Sequence, residues 1–261
     1  MAQKLKDRID SYTESSDYKI LNKLPIIITI NGRAFSKLTS LIEKPYCTKF
    51  AEGMLSTTLK LCSEIDGAIF GYQHNDEITI IARNDQSQDT EPWYDNKIQK
   101  ICSVTASIAT SHFKNYIQST EINIIGDPIF TSHVSVTPNI IEAINTIIYK
   151  QQQNFHTSIQ FACLYELLKK YDKYTIKEMI GGLSVDEKID LLNQECEIDF
   201  NQYHHSFRRG SACYKVPKIA ESGTVKNKWV INTELPIFTK DQSFLSNIFK
   251  NGCDIFRKEN L

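Results

Sequence analysis

Apolar positions along the chain follow two rhythms, one of alternation and one of helical spacing. Ile26, Ile27, Ile28 and Ile30 form a run too short and too β-branched for a helix, so it reads as a buried strand. Thr48 to Ile65 sets Phe50, Met54, Leu55, Leu59 and Cys62 on one helical stripe, and Asp66-Gly67 ends it. Ala68 to Tyr72 and Glu77 to Arg83 read as two strands, a hairpin with Asp76 at or near its turn. Lys97 to Tyr116 is a second helix, rich in small residues, and Ile129 to Val136 returns as a strand closed by Thr137-Pro138. Strand, helix, hairpin, helix, strand is the ferredoxin-like split βαβ order.

Before this unit, Leu5 to Tyr18 has helical spacing, with Leu5, Ile9 and Tyr12 on one stripe. Asn84 to Asp95 is a polar loop tip. Beyond Pro138 the pattern turns helical over Asn139 to Leu168, Tyr174 to Ile180 and Ser184 to Cys196, where Ser184 and Glu187 make a capping-box start. Phe207 to Val216 and Trp229 to Ile231 read as short strands around a basic turn. The expected class is therefore α+β. Residues 1–138 form a ferredoxin-like, palm-type unit, and residues 139–261 a helix-rich C-terminal region packed on it.

Composition narrows the picture only a little. A length of 261 residues with 41% hydrophobic and 23% charged residues describes an ordinary globular protein. A net charge of -1 does not advertise nucleic-acid binding, though it allows a local basic patch. No apolar run reaches the roughly 20 residues of a membrane span, and the N-terminus has no signal-peptide core, so no membrane and a cytoplasmic location are expected. Seven cysteines without a Cys-x-x-Cys pair read as reduced thiols rather than a zinc site.

Two segments carry the candidate chemistry. One is the strand running into the Asn31-Gly32-Arg33 turn; the other is the hairpin Tyr72-Gln73-His74-Asn75-Asp76-Glu77. Alternation along a strand keeps Asp76 and Glu77 from pointing at one site. A carboxylate beside a strand-end glycine loop suits Mg²⁺ and a polyphosphate. His74 and His133 read as ordinary polar positions.

Taken in order, these motifs resemble the tRNA-His guanylyltransferase family, closest to its bacterial-type branch of 3′→5′ RNA polymerases. Ile30-Asn31-Gly32-Arg33-Ala34-Phe35 is similar to the family's L-D-G-R-x-F loop, and Lys44-Pro45 to its downstream Lys-Pro. Tyr72 to Glu77 resembles its Y-x-Q-S-D-E hairpin. Tyr149-Lys150-Gln151-Gln152 with Ser158-Ile159-Gln160 resembles the W-R-Q-Q and S-I-Q helix of the bacterial branch. Arg208-Arg209-Gly210-Ser211 and the stretch from Trp229 to Thr239 complete the match.

The resemblance implies a nucleotidyltransferase that extends or repairs tRNA 5′ ends, or guanylylates tRNA-His, with ATP and GTP as substrates and two Mg²⁺ ions. The 5′ end is activated, and the 3′-hydroxyl of an incoming nucleotide then attacks its phosphorus. Asp76, the Gly32 carbonyl and Asn31 are implied metal ligands, with Asp76, Glu77 and Asn31 as the catalytic set. Backbone N–H groups of Arg33, Ala34 and Phe35 would cradle the triphosphate, with Lys44, Asn75, Lys100 and Ser103 assisting. Lys150, His156, Arg208 and Arg209 are implied tRNA contacts, and the assembly a homotetramer or homodimer, with the Leu5-Ile9-Tyr12 and Ile144-Ile147-Ile148 stripes as interface or core.

The chain departs from the family where charge matters most. Asn31 replaces an Asp, Asn75 a Ser, Thr29 an Arg, and Thr131 and His133 stand where the family has Asp and Arg. An amide can still ligate Mg²⁺ but gives up the charge that holds two cations close together. Nucleotide and metal binding are therefore expected to persist with weakened catalysis. The second reading is a catalytically impaired paralogue that binds tRNA or a nucleoside triphosphate; a palm-type nucleotide cyclase is a distant third.

Overall fold

The computed structural model describes residues 4–219 and 225–254. Its elements are, in order, α1 (Leu5–Glu14), β1 (Ile26–Gly32), α2 (Phe35–Leu38), α3 (Thr48–Glu64), β2 (Ala68–His74), β3 (Glu77–Ala82), α4 (Ile98–Thr120) and β4 (Phe130–Val136). There follow α5 (Ile140–Leu167), α6 (Lys173–Ile180), α7 (Val185–Cys196), α8 (His205–Arg209), β5 (Ser211–Ile219), β6 (Val225–Asn232) and α9 (Gln242–Asp254). Two short 3₁₀ turns lie at Trp93–Asn96 and Phe200–Gln202.

All six strands join one antiparallel sheet in the order β4-β1-β3-β2-β5-β6. The first four reproduce the expected split βαβ order. The β5–β6 hairpin, contributed by the second half of the chain, extends the sheet from the free edge of β2.

Alternation decides which face each side chain meets. Ile26, Ile28 and Ile30 of β1, with Ile78, Ile80 and Ala82 of β3, pack against α3 and α4 in one core. Ile27 and Ile81, with Phe70 and Tyr72 of β2, pack on the other face against Ala143 and Ile147 of α5 and Leu245 and Phe249 of α9. A third cluster joins the second half of α5 to α6, α7 and α8 through Ile159, Cys163, Leu167, Ile176, Leu192 and Phe207. Caps set the starts of these helices. The Asn139 side chain accepts the Glu142 N–H at 3.0 Å, and Ser184 with Glu187 forms the expected capping box.

One expectation changes, and two stripes left open as interface or core are resolved. Phe207 to Arg209 belongs to the one-turn helix α8 rather than to a strand, because the His204 ring accepts the Ser206 N–H at its start and Gly210 (φ 78°) turns the chain into β5. Ile144, Ile147 and Ile148 line the intramolecular core and are not an interface stripe. Leu5, Ile9 and Tyr12 of α1 are the opposite case, for α1 buries no residue and these three are exposed. Among the described residues, no helix is long and apolar enough to cross a membrane, and the six described cysteines are free.

The seating of α3 on the sheet depends on Gly71 of β2. A Cβ there would lie 2.5 Å from Cys62 Sγ and 2.8 Å from Thr58 Cγ2. Gly71→Val is expected to destabilise the fold by about 1–3 kcal/mol through overpacking, read as a lowered urea midpoint with unchanged slope.

Candidate active site

Strands β2 and β3 close on a two-residue turn, with His74 opposite Glu77 and Asn75 in the left-handed region (φ 48°). Asp76 is the second turn residue. Strand β1 runs alongside, with Asn31 opposite Glu77, and the Gly32 N–H donates to the Asp76 carbonyl at 2.9 Å. The glycine turn and the acidic hairpin therefore lie side by side.

Gly32 has no room for a side chain, since a Cβ would sit 2.4 Å from the Phe35 ring. Phe35 in turn packs among Phe50, Phe113 and Phe130. Of the three N–H groups expected to cradle phosphate, that of Arg33 is already taken: it donates to the Ile129 carbonyl at 2.8 Å. Ala34 adopts a left-handed conformation (φ 56°) and starts α2. The N–H groups of Ala34, Phe35 and Ser36 have no protein acceptor among the described residues, as expected for first-turn donors.

Side-chain alternation splits this end of the sheet in two. On the α5 face, register puts His74, Glu77, Asn31 and Thr131 in one row across β2, β3, β1 and β4. Asp76 instead lines a cleft of about 200 Å³ together with Lys44, Asn75 and Gln73. Lys44 Nζ lies 3.1 Å from Thr39 Oγ1 and 5.6 Å from the centre of the Tyr165 ring. Burial lowers the Lys44 pKa, opposed by Cys47 and Asp76. Burial also raises the Asp76 pKa and Glu77 adds to it, while the turn backbone and Lys44 pull it down. A cation drawn to this cleft would relieve the burial of Asp76.

The helical half completes the cleft. Phe161 and Tyr165, one turn apart on α5, form one wall; Tyr46 forms another, with Ser206 of α8 beside it. Tyr46 is stacked on His204 at 5.9 Å. None of these four belongs to the sequence-derived set. Tyr46 directly follows Lys44-Pro45 and Phe161 directly follows Ser158-Ile159-Gln160, so proximity to those motifs was the available signal.

Gly32, Ala34, Phe35, Lys44, Asn75 and Asp76 thus gather at one end of the sheet, with Asn31 and Glu77 on its other face. Lys100 and Ser103 do not join them. They sit on the first turns of α4, where neighbouring Ile101 lines a second cavity with Ile26 and Ala82 at the opposite end of the strands. Lys100 there lies over the Tyr94 ring at 4.6 Å, and Ser103 hydrogen-bonds the Lys100 carbonyl.

The basic residues expected on tRNA also divide. Arg208 is buried, its Nε donating to the Tyr203 carbonyl at 2.8 Å and its Nη1 to Asn201 at 3.4 Å, so it holds a corner of the fold instead. Arg209 is half-buried and donates to the Leu235 carbonyl at 3.2 Å. Lys150 is paired with Glu77 at 2.7 Å. His156 is exposed on α5.

His74 is fully enclosed. Its Nε2 lies 2.8 Å from the Phe207 carbonyl, to which it donates, and 2.9 Å from Ser158 Oγ. Burial pushes its pKa down to about 4.

A sequence profile of the family described as tRNAHis guanylyltransferase matches residues 6–138. A probable tRNA(His) guanylyltransferase from Dictyostelium discoideum is 24% identical over 221 residues, spanning 80% of this chain and 83% of that protein. The solved structure of a bacterial tRNA(His) guanylyltransferase-like protein in complex with ATP matches with a TM-score of 0.81 at 26% identity, covering 94% of this chain and 99% of that one. A structure of a bacterial protein of the same description in complex with GTP matches with a TM-score of 0.74 at 24% identity, a likeness of fold, covering 94% of this chain and 98% of that one.

The buried His74 makes stability depend on pH. Its folded pKa, about 4, lies below the ordinary 6.5, so the unfolded chain binds the extra proton between those values. The His74 contribution is complete above pH ~6.5 and is lost as pH falls toward ~4. Asp76, with its pKa raised, acts with the opposite sign. His74→Gln, which can still donate to Phe207, should flatten this segment of a plot of urea midpoint against pH; an unchanged plot would contradict the assignment.

Proposed function

Because the chain belongs to the tRNAHis guanylyltransferase family, we propose that it adds nucleotides to tRNA 5′ ends in the 3′→5′ direction at the cleft beside Asp76. The supporting observation is the union of the glycine turn and the acidic hairpin, Gly32 N–H to Asp76 carbonyl at 2.9 Å, with Lys44 lining the same cleft. ATP and GTP are the nucleotides this reading assigns, since a solved relative holds ATP and one of like fold holds GTP. Residues 1–138 carry the nucleotide, and 139–261 receive the tRNA while lending Phe161, Tyr165 and Ser206 to the nucleotide cleft.

The protein groups divide the work by chemistry. The N–H groups of Ala34, Phe35 and Ser36 receive polyphosphate oxygens, and the Lys44 ammonium offsets their charge. Tyr46, Phe161 and Tyr165 offer flat apolar walls to a base. Asp76, the Gly32 carbonyl and the Asn31 amide oxygen are hard oxygen donors of the kind Mg²⁺ takes. Among the described residues no three His, Cys, Asp or Glu side chains gather as a cage. Mg²⁺ is commonly bound through one or two carboxylates and completed by substrate phosphates. Mg²⁺ so held would offset charge developing on the phosphoryl oxygens. His156 and Arg209 remain the tRNA contacts of this reading.

The exposed Leu5-Ile9-Tyr12 stripe supports assembly into a homodimer or homotetramer. Ile9→Glu should then lower the mass measured by light scattering while leaving the thermal midpoint of the subunit nearly unchanged. A wild-type chain that runs as a monomer would remove this part of the reading.

Pyrophosphate release with ATP, GTP, Mg²⁺ and a 5′-truncated tRNA tests the activity. Release should require the tRNA and disappear in Asp76→Asn. Asn31→Asp should raise the rate roughly tenfold, about 1.4 kcal/mol of barrier. Binding of tRNA without release in either wild type or Asn31→Asp would favour the impaired paralogue, and an RNA-independent cyclic product the cyclase.

A further inference from the structure

The second cavity, about 250 Å³ in volume, lies at the end of the strands opposite the Asp76 cleft. Ile26 and Ile28 of β1, Ile65, Ile101 of α4 and the Trp93 ring make its apolar walls. Its charged wall residues are engaged or exposed. Arg83 binds Asp85 through two hydrogen bonds of 2.8 and 2.9 Å, while Asp66 and Glu91 face solvent. The interior therefore suits an uncharged guest. An apolar cavity of about 150 Å³ already holds benzene, so this one has room for two fused rings.

The surrounding chain is held in place. Gln86, Thr90 and Glu91 belong to a loop that Lys23 ties down, its Nζ donating to the Ser87 carbonyl at 2.8 Å and the Thr90 carbonyl at 2.7 Å. Directly after Trp93, three residues in a row are left-handed: Tyr94, Asp95 and Asn96 (φ 51°, 53° and 57°). Non-glycine residues keep that conformation only where their surroundings enforce it. Here Lys19 pairs with Asp95, and the Ile20 N–H donates to the Asn96 carbonyl at 3.0 Å.

One wall residue has unmet hydrogen-bonding capacity. Asn84 is 2% exposed. The Asn96 amide donates to the Leu21 carbonyl at 3.4 Å, so its oxygen faces Asn84, whose Nδ2 donates to it at 3.3 Å. This orientation leaves Asn84 Oδ1 buried, with no partner among the described residues. A buried acceptor without a donor costs stability, and a guest bearing an N–H would supply the donor.

We propose that this cavity is a second ligand site, for a neutral fused-ring aromatic of indole size that carries a single N–H. The N–H donates to Asn84 Oδ1, and the rings pack on Trp93 and the isoleucines. One orphaned acceptor among apolar walls matches one donor on an apolar ring system. A ring with several polar edges, such as a free purine, would leave the others unpaired. The site is independent of the nucleotidyltransferase reading and stands or falls apart from it. An occupant would brace the end of β1 remote from the glycine turn.

The test is calorimetric titration of the full-length chain with indole, with indene, which has the same shape without the N–H, and with adenine. Indole should bind roughly tenfold more tightly than indene, the worth of one hydrogen bond to a buried acceptor. Adenine should bind more weakly than indole. Asn84→Leu should bind indole and indene equally, having lost the acceptor and kept the apolar walls. Phe161→Ala, which opens the aromatic wall of the Asp76 cleft, should leave indole binding unchanged. Equal binding of indole and indene by wild type, the result if only water meets Asn84, would overturn the proposal. So would no binding of indole, tighter binding of adenine, a preference for indole retained in Asn84→Leu, or binding lost in Phe161→Ala. If Asn84→Leu fails to fold by circular dichroism, the wild-type comparison together with Phe161→Ala decides.

Discussion

The backbone hydrogen bond from Gly32 to Asp76 continues the β1–β3 ladder one step beyond the Asn31–Glu77 pair. Everything at the cleft depends on that ladder keeping its register. A slip of one residue would turn Ile26, Ile28 and Ile30 away from α3 and send Asn31 to the wrong face. The isoleucines on both strands make such a slip costly, because each row carries its own buried cluster. The position of the chemistry is thus set by apolar packing several residues away from it. Phe35 adds the last constraint by filling the space that any side chain at position 32 would need.

Much of the fold was legible because its elements have clean periods. Ile26, Ile27 and Ile28 are buried on both faces of the sheet and so appear as an unbroken apolar run, while Phe50, Met54 and Cys62 mark the inner stripe of α3. What escaped was set by contacts distant in sequence. The pairing of β5 with β2, such as Tyr214 opposite Phe70, leaves no local trace. The turn of α8 is held by Arg208 reaching back to Tyr203, and Gly210 must be glycine because a Cβ would lie 2.6 Å from the Tyr72 ring. A basic pair followed by glycine looks the same in sequence whether it meets solvent or closes a buried corner.

The candidate site divides along the same line. Gly32, Lys44 and Asp76 each sit inside a recognisable short motif, and they gather at one sheet end. Lys100 and Ser103 were assigned through their helix, but α4 begins at the other end of the strands. Charge type alone did not reveal that Lys150 pairs with Glu77 or that Arg208 is buried against the Tyr203 carbonyl, since both a phosphate and an internal acceptor attract a cation. Phe161 and Tyr165 carry no charge to notice, and their four-residue spacing is indistinguishable from an ordinary core stripe.

Helix α5 runs unbroken for 28 residues from beneath the sheet to the wall of the cleft. Ala143 and Ile147 anchor its first turns to the strands, and Gln151 fastens its middle to the Phe238 N–H at 2.8 Å and the Pro236 carbonyl at 3.0 Å. Tyr165 lies some 27 Å beyond Ile147 at the ordinary rise of about 1.5 Å per residue. Over that length α5 ties two cores together, meeting the sheet through Ala143 and Ile147 and meeting α6, α7 and α8 through Ile159, Cys163 and Leu167. The distance of the aromatic wall from Lys44 is therefore set jointly by the two cores that this helix joins.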